Sequence, residues 1–163
     1  MALFSWFKSK KRDQVYSPAA GTLASLETLN DGVFSEKMLG DGFVVTNTNG
    51  MVYAPVSGKL VTLFPTQHAY GIETKSGLNI LVHIGIDTVN LKGEGFTTNL
   101  VQGQMVHQGD LLAKVDLDVL AKANLNPSIV VVITKESQLQ PGPIRTEGQV
   151  TLQDVIIEEF KAA

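Results

Sequence analysis

His68-Ala69-Tyr70-Gly71-Ile72-Glu73-Thr74-Lys75-Ser76-Gly77-Leu78-Asn79-Ile80-Leu81-Val82-His83 is the stretch that decides how this chain folds. Two runs of β-branched and aromatic residues flank a Ser-Gly pair, the pattern of a β-hairpin. With the fold-back centred between Lys75 and Ser76, residues 68 and 83 stand directly opposite each other. Opposed residues of an antiparallel pair share a face, with Cβ atoms about 4.5–5.5 Å apart. The spacing therefore predicts two imidazoles side by side on a small β domain. A slip of one residue would send them to opposite faces. On spacing alone such a pair suits phosphoryl transfer, metal binding, or simple packing.

Working outward, Tyr16-Ser17-Pro18-Ala19-Ala20-Gly21-Thr22-Leu23-Ala24-Ser25-Leu26 repeats at an offset of 37 as Tyr53-Ala54-Pro55-Val56-Ser57-Gly58-Lys59-Leu60-Val61-Thr62-Leu63. The same offset lays residues 40–46 onto 77–83, which predicts a second copy of the hairpin with Thr46 at the place of His83. Two copies are too few for a solenoid. With 15 glycines punctuating short apolar runs, the expected fold is all-β, an antiparallel β-sandwich or barrel with internal duplication and few short helical turns. Ile129 to Ile133 reads as a central strand, residues 103–112 as strand, Gly-Asp turn and strand, and residues 149–157 as a closing strand. Residues 117–123, capped by Asp116 or Asp118, are the one helical turn expected in the interior.

The 163 residues, 44% hydrophobic and 18% charged, suit one globular domain over 14–163. A net charge of −3 offers no basic stripe for nucleic acid, so none is expected as a partner. The absence of cysteine excludes a disulfide framework, a thiolate nucleophile and a Cys-ligated zinc site, and is compatible with a cytoplasmic protein. No apolar run approaches the ~20 residues that span a bilayer. Residues 1–13 read as a basic amphipathic tail. Leu3, Phe4, Trp6 and Phe7 precede Lys8, Lys10, Lys11 and Arg12, so this is either a frayed end or a short interfacial helix making weak membrane contact through residues 1–12.

An imidazole is a nucleophile only when neutral, and an unperturbed pKa near ~6.5 leaves it mostly so at pH 7. A neighbouring imidazole disfavours double protonation and can donate an N–H to a phosphoryl oxygen on its partner. A hydroxyl such as Thr66 could fix the tautomer of the supporting ring. Gly85 and Asp87 follow His83 closely.

Leu81-Val82-His83-Ile84-Gly85-Ile86-Asp87-Thr88-Val89-Asn90-Leu91-Lys92-Gly93-Glu94-Gly95-Phe96 closely resembles the active-site signature of the glucose-family IIA (EIIA) proteins of the bacterial phosphoenolpyruvate-dependent sugar phosphotransferase system. Phe64-Pro65-Thr66-Gln67-His68-Ala69 is similar to that family's second histidine motif, and residues 33–42 resemble its early glycine-rich segment. Together these cover about residues 14–158. The resemblance implies that His83 is phosphorylated on Nε2, with Nδ1 held by a backbone carbonyl near Gly85. It implies that His68 stabilises the phosphoryl group and that Thr66 orients His68. Asp31 and Asp87 would be rim acids of the partner-binding face, and Val33, Phe34, Met38, Leu39, Phe64 and Leu81 its apolar ring. Gly32 and Pro65 depart from the family pattern, which bears on the contour of that ring.

The implied donor is phospho-HPr, and the implied acceptor is a cysteine on the IIB domain of a glucose-family sugar permease. The phosphorylation state could also regulate other partners. No cofactor is required, although His68 and His83 could gather zinc when a partner offers a carboxylate. The place of action would be the cytoplasm, either free or peripheral at the inner membrane face. Two other readings fail on residues. A LytM-like zinc peptidase needs a His-x-His pair, and this chain with three histidines has none. A biotinyl- or lipoyl-type carrier needs a lysine with particular neighbours at a hairpin tip, and Lys75 lacks them.

Overall fold

The computed structural model describes residues 13–163; the tail expected over 1–13 thus lies, except for Asp13, outside the described residues. Among the described residues, fifteen strands run in chain order. They are β1 (Val15–Tyr16), β2 (Gly21–Ser25), β3 (Gly40–Thr46), β4 (Met51–Tyr53), β5 (Gly58–Leu63), β6 (Ala69–Glu73), β7 (Asn79–Ile84) and β8 (Phe96–Thr97), followed by β9 (Met105–Val106), β10 (Leu111–Val115), β11 (Ile129–Thr134), β12 (Leu139–Pro141), β13 (Gly148–Val150), β14 (Val155–Ile157) and β15 (Phe160–Ala162). Every pairing is antiparallel. The main sheet has the order β13-β2-β3-β11-β7-β6-β5-β9, with β4-β10-β8 as a smaller sheet and β1-β14 and β12-β15 as pairs. The all-β antiparallel fold expected from the sequence is the fold observed.

β11 sits in the middle of the main sheet, between β3 and β7, and is buried on both faces. That explains its unbroken Ile-Val-Val-Val-Ile run, since a strand covered on both sides has no solvent-facing positions to make polar. Its residues sort by alternation. Ile129, Val131 and Ile133 join Phe43, Val45, Ile80, Val82 and Ile84 in the large core. Val130 and Val132 face the other way and join Leu26, Phe34 and Val44 in a second cluster. Each such side chain is worth about 1.5–3 kcal/mol when removed from water. Leu81 and His83 belong to this second face of β7, because Ile80, Val82 and Ile84 take the first.

The helix α1 (Leu117–Lys122) is capped by Asp116, whose carboxylate accepts from the Asp118 N–H. Two short 3-10 turns, Leu26–Leu29 and Thr88–Leu91, add to the single helical segment expected. The closing segment forms two short strands, β13 on β2 and β14 on β1, separated by a turn at 151–154.

The repeat is realised only in part. β1 and β4, β2 and β5, and β3 and β7 correspond, and β3 and β7 flank β11 symmetrically. The expected second copy of the hairpin is not formed. β6 lies between β5 and β7, whereas β2 pairs β3 directly, and the residues equivalent to β6 form turns within the 30–39 loop. That loop packs Phe34 over the second face of the central strands.

The hairpin β6–β7 exists, but its register differs from the expected one. Ala69 opposes His83, and Ile72 opposes Ile80. The loop is Lys75-Ser76-Gly77, closed by Thr74 N–H to Leu78 O at 2.9 Å and Gly77 N–H to Thr74 O at 3.1 Å. Gly77 takes φ +94°, the left-handed position that ends such a three-residue loop. One more residue in the turn moves the centre to Ser76, and every pair shifts with it.

Candidate functional site: a histidine pair on an apolar face

His68 and His83 nevertheless meet. Their ring centroids are 4.9 Å apart with planes at 83°, edge to face. Strand alternation does not bring this about, because His68 precedes β6. The chain turns at 64–67 with Gln67 N–H to Phe64 O at 2.7 Å, and Gln67 has φ +61°. His68 therefore leaves the strand pattern, while its carbonyl accepts from Ile84 N–H at 2.7 Å and stays tied to β7. Directly across from His83 stands Ala69, whose methyl takes little of the space beside the imidazole.

Each ring is held through Nδ1. His83 Nδ1 lies 2.8 Å from the Gly85 carbonyl oxygen. A carbonyl only accepts, so Nδ1 carries the proton and Nε2 of the neutral ring carries the lone pair. His68 Nδ1 lies 2.5 Å from Thr66 Oγ1, a partner that can donate or accept. Aromatic contacts complete the setting. The Phe34 ring is 4.9 Å from His83 at 59°, and the Phe64 ring is 5.3 Å from His68, edge on.

Electrostatics keep both rings neutral at pH 7. Burial pushes the His68 pKa down to about 4, with the adjacent His83 adding to the fall; its exposure is only 2%. Burial also lowers His83, opposed by the Gly85 carbonyl and by the charges of Asp31 and Asp87. Asp87 is exposed, sits at φ +60° before the Thr88–Leu91 turn and makes no capping bond, so its carboxylate is not consumed locally. Asp31 is different. Its two oxygens accept from Phe34 N–H at 3.1 Å and Ser35 N–H at 2.8 Å, which makes it the organiser of the loop that carries Phe34. Burial raises its pKa, but the Ser35 and Phe34 N–H groups outweigh this and hold it below the usual carboxylate value.

Of the apolar ring, Val33, Met38, Leu39 and Phe64 are exposed, Met38 most at 57%. Phe34 is buried at 6% exposure, and Leu81 is half-buried against the same cluster. These two support the face from beneath, because Phe34 folds onto His83 and into the second core. Val89 is an exposed apolar side chain on the turn after Asp87, a position the sequence did not single out. Gly85 is held at φ +77°, with its N–H bonded to Ser128 O at 2.8 Å. Among the described residues no cluster of three or more His, Cys, Asp or Glu side chains could hold a metal ion, and no helix is long and apolar enough to cross a membrane.

Fold and site thus define an antiparallel β domain that offers a fixed imidazole nitrogen beside a second imidazole, within an exposed apolar surface. The profile of the phosphoenolpyruvate-dependent sugar phosphotransferase system, EIIA 1, matches residues 13–139. The chain belongs to this EIIA family and is a component of the sugar phosphotransferase system. It is 52% identical over 117 residues to the PTS system glucose-specific EIIA component of Mycoplasma capricolum, covering 72% of this chain and 75% of that protein. It is 43% identical over 131 residues to the protein of the same name from Halalkalibacterium halodurans, covering 80% of this chain and 76% of that one. The glucose-specific EIICBA component of Streptococcus pneumoniae is 43% identical over 144 residues, 88% of this chain but only 20% of that longer protein. Among solved structures, glucose permease IIA from Mycoplasma capricolum superposes with a TM-score of 0.80 at 42% identity, covering 91% of this chain and 96% of the other.

Proposed function

We propose that the chain is a phosphoryl carrier. Nε2 of His83 accepts the group from phospho-HPr and yields it to a cysteine of the IIB domain of a glucose-family permease, at the cytoplasmic face of the membrane. The observation that carries this reading is the 2.8 Å contact between His83 Nδ1 and the Gly85 carbonyl, which leaves the Nε2 lone pair free to attack. As Nε2 bonds to phosphorus, the donor's bond to phosphorus breaks, and His83 has no proton to lose at the attacking atom. With Thr66 donating to His68 Nδ1, His68 presents Nε2–H and can steady a phosphoryl oxygen, as preorganised donors do in such transfers. Val33, Met38, Leu39, Phe64 and Val89 fit a surface that docks donor and acceptor in turn. The glucose-specific names of the relatives support that branch of the system.

For zinc, the pair would offer two Nε2 atoms, that of His68 only with Thr66 accepting from Nδ1–H, and the rest of a tetrahedral set would have to come from a partner carboxylate and a further ligand.

Incubation with Enzyme I, HPr and labelled phosphoenolpyruvate tests the proposal. The wild type should take up an acid-labile, base-stable label, and His83→Ala should take up none. Label on the alanine variant, or an acid-stable product, would sink it.

A further inference from the structure

The contact that fixes His83 depends on a peptide group held from behind. Peptide 85–86 presents its carbonyl to His83 Nδ1, and its N–H, on Ile86, donates to Asn126 O at 2.9 Å. In a trans peptide the C=O and N–H point in opposite directions, so anchoring the N–H aims the carbonyl. The result is one chain of dipoles, from the His83 Nδ1–H through the Gly85–Ile86 peptide to the Asn126 carbonyl. Hydrogen bonds in series polarise one another, so the last link strengthens the first.

The last link is itself built by a side chain. Asn126 Oδ1 accepts from Ser128 N–H at 2.9 Å and from Ser128 Oγ at 2.6 Å, closing a turn around Pro127. That turn fixes both carbonyls facing the loop after β7. Asn126 O takes the Ile86 N–H, and Ser128 O takes the Gly85 N–H at 2.8 Å. Leu125 N–H to Leu120 O at 3.0 Å ties the turn to α1. Ser128 is buried, so losing the Asn126 acceptor would leave its groups without a partner.

We infer that Asn126 is a positioning residue for phosphoryl transfer, acting through the Gly85–Ile86 peptide to hold His83 in the tautomer with the proton on Nδ1. Its use in catalysis rests on the carrier reading above, but its effect on the ring does not.

The test reads the ring directly. Two-bond proton–nitrogen correlation NMR of the unphosphorylated protein, with ring ¹⁵N labelling, separates the tautomers. The wild type and Asn126→Asp, which keeps an acceptor at the same reach, should show His83 protonated at Nδ1. Asn126→Ala should show a mixture in which the Nδ1–H form is roughly a tenth or less, slowing phosphoryl acceptance from HPr about 10-fold or more, because only that form attacks through Nε2. Ser128→Ala keeps the N–H bond to Asn126 and should move the tautomer part of the way, which preserves the test if Asn126→Ala does not fold. A pure Nδ1–H tautomer in every folded variant would overturn the inference. A tautomer shift without any phosphorylation of the wild type would leave the positioning role standing and remove the carrier reading.

Discussion

The two imidazoles are neighbours at 4.9 Å, yet they are held by opposite kinds of partner. His83 is half-buried and bonded to a carbonyl, which can only accept; His68 is buried and bonded to a hydroxyl, which can reverse its role. An acceptor-only partner commits a ring to one tautomer, whereas a hydroxyl lets the other ring present either an N–H or a lone pair. On the proposed carrier reading, the difference suits His83 to the part of fixed nucleophile and His68 to that of adaptable neighbour.

The strongest way to break that contrast is to disturb the carbonyl. Gly85 has φ +77°, and a Cβ there would lie 2.5 Å from Thr88 Cγ2 and 2.9 Å from Asn126 O. Gly85→Ala must therefore move the backbone whose carbonyl meets His83 Nδ1. We expect about 1–3 kcal/mol lost in urea unfolding and phosphoryl acceptance slowed about 100-fold. Acceptance at the wild-type rate would mean that the Gly85 carbonyl does not orient the ring.

His68→Gln probes the other side. The amide can still donate to a phosphoryl oxygen, but it lacks the ring that Thr66 and Phe64 hold in place. Acceptance from HPr should change little, while delivery to a IIB domain slows about tenfold or more. Rapid-quench measurement of each half-reaction separates the two. Equal loss in both halves would erase the division of roles.

How much of this was legible in the sequence follows from the same contrast. The β6–β7 hairpin, β11 and the Asp116 cap were readable, because alternation, β-branching and capping are local signals. The pairing of the histidines came out right through a wrong register. The loop takes three residues, Lys75-Ser76-Gly77, where a fold-back centred between Lys75 and Ser76 allows two, and His68 escapes the consequence only because Gln67 turns the chain before β6. Nothing local in Pro65-Thr66-Gln67 announces that positive φ. Nor could the repeat show that its 30–39 segment becomes a loop where the second half grows β6, since Asp31 stabilises that loop through hydrogen bonds formed only once it is closed. The Asn126 turn lies over 40 residues from His83 in sequence and carried no motif to connect them.

The contrast also has a signature in acid. An unfolded histidine binds its proton below about pH 6.5, but folded His68 resists until about 4. Between those values the unfolded chain holds more protons, so stability falls as pH falls through the window and is full above it. For a ring this well buried the loss is on the order of 2–3 kcal/mol. Lowered carboxylates such as Asp31 also weaken the fold in acid, but they contribute alike to wild type and His68→Gln and cancel in the comparison. Urea unfolding at pH 7 and at pH 4.5 should therefore cost the wild type more than the glutamine variant, which has nothing to protonate at that position. Equal losses would mean that His68 enters the fold without shedding its proton, and a charged ring there would repel a protonated neighbour instead of supporting a neutral one.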